Sequence, residues 1–213
     1  MERHYTWLDR LCLKVDNIVR TLNQTSDTQH KPSPAADIDD TTLTDSERKH
    51  AAGLMRVNHA GEVCAQALYQ GHSVITRDKT VKQHMRQAAR EEGDHLAWTQ
   101  ERIMQLGSHT SYLNPIWYAG SFCIGILAGI VNDRYSYSFV AETERQVIKH
   151  LEKHLQLLPS NDLKSRHILM QMELDEAKHR DDAISYGATT LPTAIQAVMQ
   201  ATSKLMVKTA YYL

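Results

Sequence analysis

The chain has 213 residues, enough for one domain with a substantial core, and its formal net charge at pH 7 is −1. This charge balance, without any run of basic residues, argues against nucleic acid as a partner. Only 9 Gly, 5 Pro and 2 Phe occur, whereas helix-forming residues are abundant, so the composition predicts an all-α protein. The 3 scattered cysteines form no disulfide framework and indicate a reducing compartment. The charged N-terminus resembles neither a secretory signal nor a transit peptide, which favours a bacterial protein.

The first 43 residues differ from the rest of the chain. Apolar residues at helical spacing over residues 4–22 predict a short amphipathic helix. Residues 23–43 are polar and contain Pro32 and Pro34, which is typical of a linker. We therefore expect an N-terminal amphipathic helix and polar linker over residues 1–43, followed by the main domain over residues 44–213.

Start and stop signals divide residues 44–213 into helices. Thr44 and Glu47 form a capping box that begins the first of them. Gly107 and Gly187 are helix stops, because glycine readily takes the backbone conformation that ends a helix. The predicted helical stretches cover about 44–76, 79–107, 114–158 with a bend near 129–133, 161–187, and 192 to the end of the chain.

One ligand pattern occurs twice along these helices. A single Glu on one helix is followed by a Glu-x-x-His on the next, and residues three apart on an α-helix point the same way. The doubled set is the ligand arrangement of a di-iron or di-manganese carboxylate site inside a four-helix bundle. No thiolate lies at these positions to favour zinc. The predicted metal ligands are Glu62, Glu92, His95, Glu144, Glu176 and His179.

Taken individually, these residues also allow ordinary surface or structural roles. Either Glu-x-x-His taken alone is more often a solvated helix face, but two of them in apolar stripes are costly to bury without a metal. On the third stretch Glu142 competes with Glu144, which we favour. Four acidic neighbours are either partners that orient a metal-bound histidine or surface charges: Glu91, Asp94, Glu173 and Asp175.

Residues 113–131 carry no charge over 19 positions, close to the length that spans a bilayer. A spanning helix would place the two halves of the ligand set on opposite sides of the membrane, so spanning is excluded. Two interpretations remain. The segment is either a buried helix that caps the bundle, or an apolar face in the membrane surface that admits a lipidic substrate, with Tyr112, Trp117 and Tyr118 at the interface. We favour the second.

Several short strings resemble one known family. The string RVNHAGE at residues 56–62 is highly specific, and the others occur in the matching order. The chain is thereby similar to the bacterial 5-demethoxyubiquinone hydroxylases (2-polyprenyl-3-methyl-6-methoxy-1,4-benzoquinone monooxygenases), which are ferritin-like di-iron carboxylate proteins. The resemblance covers roughly residues 44–213. Its other strings are EGDHL at 92–96, YAGSF at 118–122, TERQV at 143–147 and DEAKH at 175–179.

The resemblance implies a fold, a reaction and a set of partners. The fold would be a ferritin-like four-helix bundle with additional apolar and C-terminal helices. The enzyme would hydroxylate the ring of a polyprenylated demethoxybenzoquinol in ubiquinone biosynthesis, using O₂, two iron ions per chain and an electron donor, either reduced nicotinamide or a reductase. The family pattern assigns Glu62, Glu92 and His95 to one iron. It assigns Glu144, Glu176 and His179 to the other, with Glu92 and Glu176 as bridges.

The same resemblance implies a peripheral location on the cytoplasmic side of the bacterial inner membrane, with other ubiquinone-synthesis proteins as further partners. Two other functions use the same ligands. One is a ferritin- or rubrerythrin-like protein that handles iron or peroxide, although this chain has too few cysteines for the Cys₄ site of rubrerythrins. The other is a non-catalytic scaffold with structural metals.

Overall fold

The architecture is that of a computed structural model, which describes residues 31–76 and 78–213. Among the first thirty residues it describes only Thr6, Asp9, Cys12, Asp16, Ile18, Val19 and Thr21. Most of the helix predicted over residues 4–22, and residues 23–30 of the predicted linker, therefore lie outside the described residues. The described part of the chain contains helices and no strand, which confirms the all-α prediction. The helices from residue 45 onward are α1 (Asp45–Ile75), α2 (Lys79–Gln105), α3 (Asn114–Val131), α4 (Asp133–Leu157), α5 (Leu163–Ser185) and α6 (Thr193–Tyr212).

The helix ends follow the capping chemistry of the sequence. Thr44 and Glu47 form the predicted capping box of α1. Beyond α2 and α5, Gly107 and Gly187 have φ angles of 71° and 96°, a left-handed conformation that favours glycine. The stretch predicted as one bent helix is broken at Asn132, whose extended backbone ends α3 while its side chain accepts a hydrogen bond from the backbone N–H of Tyr135 and begins α4.

Helices α1, α2, α4 and α5 form the four-helix bundle. Helix α1 packs against α2, and α4 packs against α5. The largest core cluster joins these pairs, because Met55, Trp98, Leu151 and Leu169 of four different helices contact one another there, each at most 2% exposed. This arrangement directs one face of every bundle helix to a common axis.

Helix α3 lies across the outside of α1. A Cβ at Gly71 of α1 would overlap the backbone of Phe122, and a Cβ at Gly125 of α3 would overlap the backbone of Leu68. The two backbones therefore approach so closely that both positions require glycine. Only 22% of α3 is buried, so the interpretation of this segment as a buried cap is wrong. Among the described residues, α3 is the one helix with the length and apolar composition to cross a membrane.

Helix α6 returns along the start of α1. Arg56 holds it there, since its guanidinium donates to the carbonyl of Tyr211 at 2.8 Å and to that of His109 at 2.7 Å. The backbone N–H of Tyr112 also donates to the carbonyl of Leu213 at 2.8 Å. The first residue of the RVNHAGE string thus ties the C-terminus and the α2–α3 loop to the bundle.

Candidate metal centre

All six sequence-predicted ligands lie on the inner faces of the bundle helices. Helix α1 supplies Glu62, α2 supplies Glu92 and His95, α4 supplies Glu144, and α5 supplies Glu176 and His179. The helical period places each Glu-x-x-His on one face, and bundle packing turns these faces inward. None of the six side chains is more than 6% exposed.

Four of the six residues form a tight group. Donor atoms of Glu62, Glu92, His95 and Glu176 all lie within 4.8 Å of one another. His95 Nδ1 lies 3.0 Å from a Glu176 oxygen and 3.4 Å from a Glu92 oxygen. His179 Nδ1 lies 3.2 Å from the other oxygen of each of these two glutamates. Glu92 and Glu176 therefore lie between the two imidazoles.

Glu144 is held at the edge of this group. The hydroxyl of Tyr69 on α1 donates to Glu144 Oε1 at 2.6 Å, and both side chains are buried. The charges of Glu176 and Glu92 act on the Glu144 carboxyl. Its neighbour Glu142 instead accepts hydrogen bonds from Arg145 and Gln146 of its own helix. The geometry therefore favours Glu144 over Glu142 as a ligand.

Each histidine is oriented by an acidic residue from the opposite helix pair. His95 Nε2 lies 3.2 Å from Asp175, and His179 Nε2 lies 2.7 Å from Glu91. The arrangement is reciprocal, since each partner immediately precedes the glutamate of the other Glu-x-x-His. Such a hydrogen bond fixes the ring orientation and turns Nδ1 toward a metal. Of the four acidic neighbours, Glu91 and Asp175 are thus the orienting partners, whereas Asp94 accepts from the backbone N–H of Lys31.

The site concentrates negative charge away from water. Burial raises the pKa of Glu62 and Glu144 well above the ordinary value, and the charges of Glu92 and Glu176 raise both further. Burial would by itself lower the pKa of His179, but its hydrogen bonds with Glu176 and Glu91 raise it. Four buried carboxylates in one volume need compensating positive charge, which two divalent cations would supply.

Unpaired atoms provide a test of whether metals fit. Among residues 31–76 and 78–213, the buried atoms that lack a hydrogen-bond partner include both oxygens of Glu92, Nδ1 of His95, Oε2 of Glu144 and Oε1 of Glu176. A buried polar atom without a partner costs about 1–3 kcal/mol, so five in one place indicate an absent ligand. Carboxylate oxygen and imidazole nitrogen are donors that iron and manganese accept. The residues present fit a pair of such cations.

An apolar cavity of about 770 Å³ reaches the same site. Glu62 forms part of its wall, and the rest comes from α1, α3, α4 and α6. Cys64 also lines it, beside Ser121, and is not in the metal group. Sequence reasoning missed that α6 forms part of the cavity wall. The signal in the sequence was Val198 and the apolar residues near it, and Val198 is exposed in the structure. A smaller cavity of about 160 Å³ borders His179 and Glu91.

A helical bundle that encloses a buried carboxylate and histidine cluster defines the class of ferritin-like proteins able to hold metal. Residues 49–210 match the family described as Ubiquinone biosynthesis protein COQ7. The chain belongs to this family, which confirms the resemblance found in its sequence strings.

Curated relatives agree over nearly the whole chain. A 3-demethoxyubiquinol 3-hydroxylase of Nitrosomonas eutropha is 50% identical over 205 residues, covering 96% of this chain and 98% of the relative. One of Nitrosococcus oceani is 48% identical over 211 residues, covering 99% of each chain. One of Pseudomonas putida is 50% identical over 210 residues, covering 99% of this chain and 98% of the relative.

Proposed function

We propose that this protein is a di-iron monooxygenase that hydroxylates the ring of a polyprenylated demethoxybenzoquinol in ubiquinone biosynthesis. The observation that carries the proposal is that Glu62 belongs both to the metal group and to the wall of the apolar cavity. A quinol ring at that end of the cavity would lie beside the metals, with its isoprenoid tail among apolar side chains. The hydroxylase names of the relatives support the same substrate class.

The proposed cofactor is two iron ions per chain. Glu62, Glu92 and His95 would hold one ion. Glu144, Glu176 and His179 would hold the other, and the position of Glu92 and Glu176 between the two imidazoles suits them as bridges. When bound, the iron pair supplies the redox chemistry that lets O₂ react with the ring.

The reaction balances with one external reductant. One oxygen atom of O₂ replaces a ring hydrogen as a hydroxyl group, and the other leaves as water, with two electrons and two protons from a donor such as reduced nicotinamide or a reductase. The residues of this chain supply position and environment. Tyr69 holds Glu144, Asp175 and Glu91 hold the two histidines, and the apolar walls exclude water.

We also propose that the protein binds the cytoplasmic face of the bacterial inner membrane peripherally. Several apolar residues that line the cavity are at the same time largely exposed, so the cavity opens through an apolar surface of α3 and α6. Such a surface can enter the headgroup region of a bilayer and receive a lipidic quinol sideways. The residues that both line the cavity and are exposed include Ile116, Ile124, Leu127, Val131 and Val198.

Turnover with isotope-labelled oxygen tests the proposed function. The iron-loaded protein is reduced without oxygen and then exposed to ¹⁸O₂ with or without a short-tailed demethoxyquinol. We expect one ¹⁸O atom in the quinol ring by mass spectrometry. Iron oxidation at the same rate with and without quinol, with no labelled product, would instead support the ferritin-like alternative.

A further inference from the structure

Two buried N–H donors in the wall of the apolar cavity have no hydrogen-bond partner in the part of the chain that the structure describes. They are Nδ2 of Asn58 on α1 and Nε1 of Trp117 on α3, and both side chains line the cavity. Asn58 is only 6% exposed. Water is costly to remove from a donor that gains no hydrogen bond in return, so such groups in a folded protein point to an occupant with acceptor atoms.

The Asn58 amide is held in one orientation. His154 Nδ1 lies 2.8 Å from Asn58 Oδ1, and both residues are buried. Burial lowers the pKa of His154 to about 4, with smaller contributions from His150 and Lys153, so the ring is neutral near pH 7 and has one N–H. Donation of that N–H to Oδ1 occupies the amide oxygen and leaves the NH₂ group for the cavity.

Asn58 lies near the metal end of the cavity, and Trp117 packs beside the same stretch of α1. Asn58 is four residues, about one helical turn, before Glu62 on α1, so the two side chains share a face of that helix. Trp117 packs against the cluster of Val57, Ala60 and Ala210, in which Val57 is the residue next to Asn58. The isoprenoid tail of a quinol has no hydrogen-bond acceptor, whereas every oxygen on the quinol ring can accept a hydrogen bond.

We propose that Asn58 and Trp117 bind the ring oxygens of the benzoquinol and so hold the ring, rather than the tail, beside Glu62. The identity of the ring rests on the proposed function. The two residues are positioning groups for the substrate, and the rest of the cavity wall gives affinity for the tail through apolar contact. Removal of either N–H then weakens binding only of ligands that carry ring oxygens.

Two probes with the same short prenyl tail separate this role from a structural one. One is a methoxy-methyl-benzoquinone, and the other is the corresponding arene without ring oxygens. Equilibrium dialysis measures the Kd of each for the wild type, Asn58→Leu and Trp117→Phe. Thr202→Val is the control, because it removes a polar group from another part of the same cavity wall. Circular dichroism reports whether each variant is folded.

We expect Asn58→Leu and Trp117→Phe each to weaken quinone binding about three- to tenfold and to leave arene binding unchanged or stronger. The control should leave the ratio of the two Kd values unchanged. The proposal is overturned if a variant loses the same affinity for both probes, or if neither variant loses affinity for the quinone. If Asn58→Leu does not fold, the result for Trp117→Phe decides alone. If the wild type binds neither probe and forms no labelled product, the proposed function is overturned as well. If the wild type turns over normally but the two variants bind the quinone with an unchanged Kd, only the role of these two donors is overturned.

Discussion

At the scale of single residues, the two glutamates of α4, Glu142 and Glu144, differ in their surroundings. Glu144 has one oxygen hydrogen-bonded to Tyr69 and one without a partner among the described residues, whereas Glu142, although buried, is paired with the partly exposed Arg145 of its own helix. We predict that Glu144→Ala lowers the iron content from about two per chain to one or fewer and abolishes hydroxylation, because the remaining ligands leave one cation incomplete. Iron analysis by mass spectrometry measures this.

The matched control is Glu142→Ala, which removes a carboxylate of the same size two residues away. It should leave the iron content unchanged. Substituting Glu62, Glu176, His95 or His179 with Ala should behave as Glu144→Ala does. Loss of iron in Glu142→Ala together with full iron in Glu144→Ala would contradict the assignment of the ligand on α4.

His59 gives the protein an acid-sensitive stability. Burial lowers its pKa to about 3 in the folded chain, from an ordinary value of 6.5. As the pH falls below about 6.5, the unfolded state therefore takes up a proton that the folded state does not bind. The free energy of unfolding consequently decreases between about pH 6.5 and about pH 3. We predict that the stability advantage of the wild type over His59→Gln shrinks by about 3 kcal/mol between about pH 7 and pH 4.5. Urea unfolding of the metal-free proteins measures it, and a constant difference would contradict the buried neutral state.

At the scale of helices, the close crossing of α1 and α3 depends on glycine. We predict that Gly71→Ala lowers the free energy of unfolding by about 1–3 kcal/mol, because its methyl group would overlap the backbone of Phe122 and force the helices apart. Gly120→Ala on α3 is the control, since its methyl group would meet no atom of the described residues within 4 Å. That change should stabilise the helix by up to about 1 kcal/mol. Thermal unfolding gives both values, and equal effects would mean that the crossing is adjustable.

The exposed apolar face of α3 carries the membrane proposal. Ile130 is 64% exposed and is not part of the cavity wall, so a charge there tests the surface without altering the substrate site. We predict that Ile130→Lys lowers binding to anionic liposomes several-fold, because each buried apolar Å² contributes about 25 cal/mol. Leu174→Lys on α5, at a site 66% exposed, should have little effect. Equal partitioning of both variants in a sedimentation assay would contradict a membrane role for α3.

At the scale of the whole molecule, we propose that residues 44–213 carry the hydroxylase domain, while the end of the preceding segment supports it. Ala35 is buried in the main core, and Asp40 forms a 3.0 Å ion pair with Arg102, itself 2% exposed. The indole N–H of Trp98 donates to the carbonyl of Lys31 at 3.1 Å. Polar composition alone suggested only a linker there.

Two truncations separate these contributions. We predict that deletion of residues 1–43 lowers the unfolding free energy by about 2 kcal/mol or more relative to deletion of residues 1–30, because the buried Ala35 is lost together with Asp40, one of the two acidic partners of Arg102. Both truncated proteins should still bind two irons, since all six proposed ligands remain. Identical denaturation midpoints would show that residues 31–43 contribute nothing to the fold.

The sequence by itself determined the helices and the proposed ligand set. Caps such as the Thr44–Glu47 box and the stop at Gly107 are local, since they depend on neighbouring backbone groups. The helical period likewise fixes that Glu176 and His179 share a face, so the doubled pattern could be recognised without a fold.

Only the tertiary structure decided which groups meet across helices. The pairing of His95 with Asp175 joins residues 80 positions apart, and the donors of Asn58 and Trp117 meet one cavity because α3 crosses α1 at two glycines. The apolar composition of α3 suits a buried core helix as well as an exposed one, and only its exposure in the tertiary structure argues against the core position. Such contacts depend on packing between segments that are distant in the chain. Because the assembled bundle sets which groups are buried and desolvated, these contacts leave no local signal in the sequence.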